Sequence, residues 1–349
     1  MVALSPFLPR RLPGPTLTLA LAGLLLVAAV LSLTTGAAGL GVSDLLAAIW
    51  GNGLSPRDQV VLFDIRLPRL GLGVAVGASL AVSGVLLQGL FRNPLADPGI
   101  VGVSSGASLG AVTAIVLGGA LPAALATAIG PALIPIAAGL GGWATTLILY
   151  RVATSGSRTD VALMLLAGIA LSALAAAVTG VLIYLADDRQ LRDLTFWSMG
   201  SLAGATWSKL WATLPLIGLA VLVAPRLARG LNALSLGEAQ AAHMGIDVQV
   251  LKRVTILAAA AATGAAVAVS GGIGFIGLVV PHLLRQALGP DHRPLIPHAA
   301  LLGASLLVLA DLFARSFVAP AELPIGILTA LIGAPVFLWM LLQRGAMGG

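Results

Sequence analysis

Four histidines (His243, His282, His292, His298), thirteen carboxylates and no cysteine are what this chain of 349 residues offers to metal or acid–base chemistry. A zinc centre needs ligands that converge on one point. The spacing of these histidines supplies no such set, so they read as interfacial or capping residues, and no metal site is expected. No nucleophile, base and orienting acid can be assembled into a catalytic group either. The phosphate loop G-x-x-x-x-G-K-[ST] is absent, because the only lysines, Lys209 and Lys252, follow Ser208 and Leu251 rather than a glycine. The apolar runs carry no carboxylate near their centres, where an ion-coupled carrier usually keeps one. Asp311 comes closest, but it lies towards an outer end with Arg315 four residues on, the spacing of a local ion pair. Energy for any transport would then come from outside the chain.

The one extended polar interruption runs from Leu231 to Asp247, LNALSLGEAQAAHMGID. Ser235 and Glu238 have the spacing of an S-x-x-E capping box, the residues to Met244 favour helix, and Gly245 suits a left-handed C-cap. Arg226, Arg229, Lys252 and Arg253 flank it, as basic residues flank cytoplasmic loops. Two readings stand: a docking helix for a cytosolic partner, or an ordinary capped connector.

The rest of the chain has to position that helix. The sequence is 58% hydrophobic and 9% charged, with a mean hydropathy of +1.04. Its apolar runs are unbroken rather than alternating, which points to membrane helices and not to a barrel. Runs of spanning length fall at about 17–33, 67–90, 100–117, 131–150, 161–185, 210–227, 297–318 and 325–342. The stretch 254–284 is too long for one span, and Ser270, Gly271 and Gly272 divide it, giving ten. We therefore expect an all-α polytopic membrane protein, a single domain over residues 1–349, with both termini cytoplasmic. On that topology twelve of the nineteen Lys and Arg residues, including Arg10, Arg11 and Arg344, lie inside. The basic residues are scattered over span ends and form no patch for nucleic acid. Small residues recur at every fourth position in Gly102, Gly106 and Gly110, and in Gly168, Ser172, Ala176 and Gly180. Such faces let helices approach closely in lipid, with pore lining as the other reading. Trp197, Trp207 and Trp211 suit the outer interfacial belt.

Several stretches resemble one family, the FecCD-type membrane permeases of ABC importers for iron-siderophores, heme and cobalamin. They are RLPR at 66–69, QGLFRNPLADPGIVGVSSGASLG at 88–110, LSLGEAQAAHMG at 234–245, GFIGLVVPHLLRQALGPDHR at 274–293 and ADLFARSFVAPAELPIGILTALIGAP at 310–335. The resemblance spans nearly the whole chain. It implies ten helices per subunit, a homodimer with the path along its two-fold axis, two cytosolic ATPase subunits, a periplasmic binding protein, and a place in the bacterial inner membrane. By position, Leu234, Ser235, Leu236, Gly237, Glu238, Ala241, Met244 and Gly245 would couple to the ATPase, with Met244 where the family usually has leucine. Arg66, Arg69 and Arg315 would receive glutamates of the binding protein. Asn93 and Leu95 would belong to the cytoplasmic gate, and the fifth and tenth spans would line the path.

The run LRDLTFWSMGSLAGATW at 191–207 looks most similar to the heme branch. Phe196, Trp197 and Met199 could face a flat macrocycle, and Arg189 and Arg192 its propionates. Gly168, Ser172 and Ala176 would line the pathway. Heme is thus the expected cargo rather than a cofactor held by the chain, with ferric siderophore or cobalamin as alternatives. A secondary transporter and a membrane scaffold are the rivals from other classes.

Overall fold

The computed structural model describes residues 14–36, 39–50, 54–99, 102–155, 158–318 and 321–346. Arg10 and Arg11 lie outside them. The chain opens with α1 (Gly14–Thr34), α2 (Val42–Ile49) and α3 (Pro56–Gln59), which runs through a π-helical stretch, Val60–Arg66, into α4 (Leu67–Leu90). Then come α5 (Val103–Leu117) and α6 (Ala123–Ala153), followed by a small hairpin of β1 (Thr154–Ser155) and β2 (Arg158–Thr159). The second half holds α7 (Val161–Leu185), α8 (Asp188–Ser198), α9 (Trp207–Leu234), α10 (Glu238–His243), α11 (Val248–Ser270), α12 (Ile276–Leu288), α13 (His292–Phe317) and α14 (Ile325–Ala346).

Among the described residues eight helices are long and apolar enough to cross a membrane, and α12 and the Ile325–Trp339 part of α14 add two shorter apolar ones. Together they match the ten spans expected. The division of 254–284 falls where the glycines stand. Gly271 takes φ +69° and ends α11, Phe275 takes φ +67°, and α12 starts at Ile276. Boundaries differ more at the second span, because the π-helical stretch extends that helix back to Pro56 and sets Arg66 within it.

The centre of the bundle is α4, buried along nearly its whole length and packed against α9, α11, α12 and α13. Glycine makes this packing close. A Cβ on Gly84 would stand 2.0 Å from the Gly277 carbonyl oxygen on α12, so backbones touch there. The stripe Gly106 and Gly110 seats α5 on α6 in the same way, against Gly141 and Ala137. By contrast α7 and α14 turn large apolar side chains outward, among them Leu166, Ile169, Leu331 and Ile332. Lipid or further protein has to cover them.

Candidate functional site

At one end of the bundle, α9 closes on a tight turn in which Leu236 and Gly237 donate backbone bonds to Ala233 and Leu234. The expected capping box is not formed. Ser235 Oγ turns back to donate to the Asn232 carbonyl (2.6 Å), and the N-cap of α10 is Gly237, at φ +120° and ψ 156°. That backbone is open to glycine almost alone, so the helix is started by conformation and not by a side chain. Glu238 instead forms an ion pair with Lys252 Nζ at 2.8 Å. Gly245 behaves as expected, at φ +80°, while Ile246 donates back to Ala241. Leu234 and Ala241 are buried and anchor the segment; Leu236 and Met244 are more than 60% exposed, two apolar side chains held out on a rigid turn.

The neighbouring turn after α4 carries Asn93, whose Oδ1 accepts from the Leu95 amide at 3.0 Å. Arg92 stands there at φ +50°. Behind it Gln88 donates to the Gly277 carbonyl (3.1 Å) and accepts from Arg285, tying the turn to α12. Burial raises the Asp97 carboxyl above its ordinary value, against the amide of Gly99 that lowers it. The β1–β2 hairpin completes this end. With α10, α11 and the Phe91–Arg92 turn it encloses an open groove of about 760 Å³.

At the opposite end the three arginines face inward. Arg69, 9% exposed, grips Asp311 through Nε (3.0 Å) and Nη2 (2.9 Å), and Glu322 through Nη1 and Nη2 (both 2.9 Å). Asp311 therefore pairs most closely with Arg69 of α4, a partner the spacing did not name; the local pair with Arg315 read from the i,i+4 spacing is present as well, with Arg315 Nε at 3.8 Å. Arg66 donates to the Leu33 carbonyl, and Arg315 to Thr35 O (2.8 Å) and Ser32 Oγ (3.2 Å). These groups lie at the C-terminal end of α1, where helix carbonyls lack partners and positive charge is favoured. The Arg69 hydrogen bonds hold the Glu322 carboxyl below the usual carboxylate range.

The proposed pathway residues divide. Gly168 and Ser172 face α5, with Ser105 Oγ donating to Ser172 Oγ (3.1 Å), and Ser172 and Ala176 border a groove of about 400 Å³ that Ser104, Ser108 and Thr179 line. Arg189, Arg192 and Phe196 are exposed on α8. Trp197, on the same helix, is half-buried and packs against the small apolar cluster that includes Ala107, Ala111 and Val267, while the Met199 carbonyl accepts from the Gly326 amide. The capping box absent from α10 occurs on α8, where Asp187 and Gln190 cap each other. The histidines are taken up separately: His292 by Asn232 (2.7 Å), His298 by Thr18 (3.0 Å) and His282 by Gln286 (3.0 Å). Sequence reasoning passed over Thr159, Gln249 and Glu322, and took Lys252 only as a basic flank of the loop. Lys252 alone had a signal, as a charge four residues inside a helix that must bury its apolar face.

Among the described residues, ten apolar helices form a bundle centred on the buried, glycine-rich α4, with an exposed rigid turn at one end and an arginine–carboxylate lock at the other, the architecture of a polytopic membrane protein. The profile of the FecCD transport family matches residues 24–343. The chain belongs to that family. It is 46% identical to the hemin transport system permease protein HmuU of Yersinia pestis, over 92% of this chain and 95% of that protein. It is also 46% identical to the cobalamin import system permease protein BtuC of Halobacterium salinarum, over 84% of this chain and 76% of that one. A solved metal-chelate type ABC transporter in an inward-facing conformation matches with a TM-score of 0.83 and 35% identity, covering 94% of this chain and 99% of that chain.

Proposed function

We propose that the chain is the permease subunit of an ATP-driven importer that moves heme from the periplasm to the cytoplasm across the bacterial inner membrane, at the interface of a homodimer. Two cytosolic ATPase subunits would seat on α10, and a periplasmic binding protein on the end that holds Arg66, Arg69 and Arg315. The observation that carries this reading is α10 itself: a helix begun and ended by glycines of positive φ, presenting Leu236 and Met244 to water. A turn fixed by glycines that holds two apolar side chains in water suits a seat for the apolar surface of a partner. Since the chain has no phosphate loop, hydrolysis belongs to the partner. Heme is favoured by the near full-length likeness to the hemin permease, and Arg189, Arg192 and Phe196 exposed on α8 suit its propionates and ring. The equal identity to a cobalamin permease keeps cobalamin as the second reading, with a ferric siderophore third.

Docking at the arginine end takes a particular form. Arg69 already holds Asp311 and Glu322, so a glutamate of the binding protein would compete with Glu322, the more exposed of its partners. Proteoliposomes holding the permease, its ATPase and the binding protein test the whole reading. Accumulation of hemin that needs both ATP and binding protein is expected. Uptake without ATP would indicate a secondary carrier, no flux a scaffold, and uptake of cobalamin alone would move the chain to that branch.

A further inference from the structure

We propose that Lys252 is the joint through which movement of α10 reaches the start of α7, making it a positioning residue for energy coupling. This rests on the reading of α10 as the ATPase seat. Lys252 is 2% exposed, near the cytoplasmic end of α11. Lysine is almost never fully buried unless paired. Its ammonium has exchanged water for two partners from different loops, the Glu238 carboxylate at 2.8 Å and the Thr159 carbonyl at 2.7 Å. Glu238 is the first residue of α10. Thr159 ends the β1–β2 hairpin, next to Asp160, whose Oδ1 accepts from the amides of Ala162 and Leu163 and caps α7.

A second strut runs to the same point. Gln249, three residues before Lys252, accepts from the Thr159 amide through Oε1 at 2.9 Å. Both backbone groups of Thr159 are therefore held by side chains of α11, and one of those side chains also holds α10. Along the chain α10 leads only to α9 and α11; Lys252 supplies a shortcut of 93 residues to the hairpin. Breaking it would leave an ammonium without partners in a buried setting, so α10, the first turn of α11 and the capped end of α7 move together. Beyond that cap α7 carries Gly168 and Ser172 against α5. A displacement of α10 thus enters the helix that borders the serine-lined groove.

The test measures ATP hydrolysed per substrate imported, using hemin, or cobalamin where the wild-type complex imports that instead. A wrong choice of cargo would show in the wild type and leave this ratio measurable. Lys252→Met keeps the stem and removes the charge. It should assemble with the ATPase and hydrolyse ATP, yet raise the ratio by about fivefold or more, the scale of a typical coupling between sites. Lys252→Arg should restore part of it. Because the chain has no cysteine, Thr159→Cys with Glu238→Cys can be bridged by a short bifunctional thiol reagent, which ties α10 to the hairpin without Lys252. Bridging should lower the ratio again in the Lys252→Met background. A normal ratio in Lys252→Met, or a bridge that forms and leaves the raised ratio where it was, would overturn the joint. Should Lys252→Met fail to accumulate, the same two cysteines with Lys252 kept decide the matter, since Glu238→Cys already removes the ion pair and the bridge replaces it. A wild-type complex that imports neither cargo would sink the importer reading and the joint with it.

Discussion

Arg69 carries two carboxylates that differ in what they cost to remove. Asp311 is buried on α13, and its loss would leave a guanidinium in the bundle without its more deeply buried partner. Asp311→Ala should destabilise the detergent-solubilised protein by about 3 to 5 kcal/mol, seen as a lower unfolding midpoint in denaturant. Glu322 is partly exposed, and Glu322→Gln should cost about 1 kcal/mol or less. Its pH behaviour follows from the direction of its shift. The folded value lies below the ordinary one, so the contribution of the pair is present above the ordinary glutamate range and is lost as pH falls through the lowered value. The thermal midpoint of the wild type should therefore fall on acidification more than that of Glu322→Gln, and parallel curves would refute the assignment. At the other end Gly237→Ala should cost about 1 to 3 kcal/mol in local strain and weaken ATPase binding, as measured by copurification.

At the scale of elements, Arg66 and Arg315 fasten α1 before they can serve anything else. Arg66 and Arg315 donate to carbonyls at its C-terminal end, so Arg66→Gln and Arg315→Gln together should speed amide exchange around Thr34 and Thr35. Unchanged exchange there would leave docking as their role. A charge reversal to glutamate is the poorer experiment, because it would set a carboxylate against those carbonyls. The contact of α4 with α12 makes a second case. Gly84→Ala drives a methyl into the Gly277 carbonyl and should cost about 1 to 3 kcal/mol through separation of the two helices. Gly180→Ala, on the open face of α7 with nothing near its Cβ, is the control expected to be silent.

For the molecule as a whole, the uncovered faces of α7 and α14 have to meet a partner or lipid. If two copies pack across α14, Ile332→Cys in this cysteine-free chain should form a disulfide-linked dimer under mild oxidant. Leu219→Cys, equally exposed on α9, should give none. Dimers from both positions would signal random collision in the membrane, and none from the first would remove α14 from the interface.

Helix count, the break near Gly271 and the left-handed Gly245 were legible from residue order, because hydropathy and glycine conformation act over a few residues. The existence of α10 was legible too, but its cause was not. Ser235-x-x-Glu238 has the pattern of a capping box, yet Ser235 ends α9 and Glu238 is drawn to Lys252, a partner fourteen places on that only the return of α11 brings near. Asp311 tells a similar story at the arginine end, where i,i+4 spacing named Arg315, which stands at 3.8 Å, and the packing of α4 on α13 supplied a closer partner in Arg69, 242 residues away. A buried charge takes whichever partner removes its desolvation cost with the best geometry. The helix spans are set by their own apolar runs; the choice of ion-pair partner, and with it the connection from α10 to α7, is set only when separate helices meet.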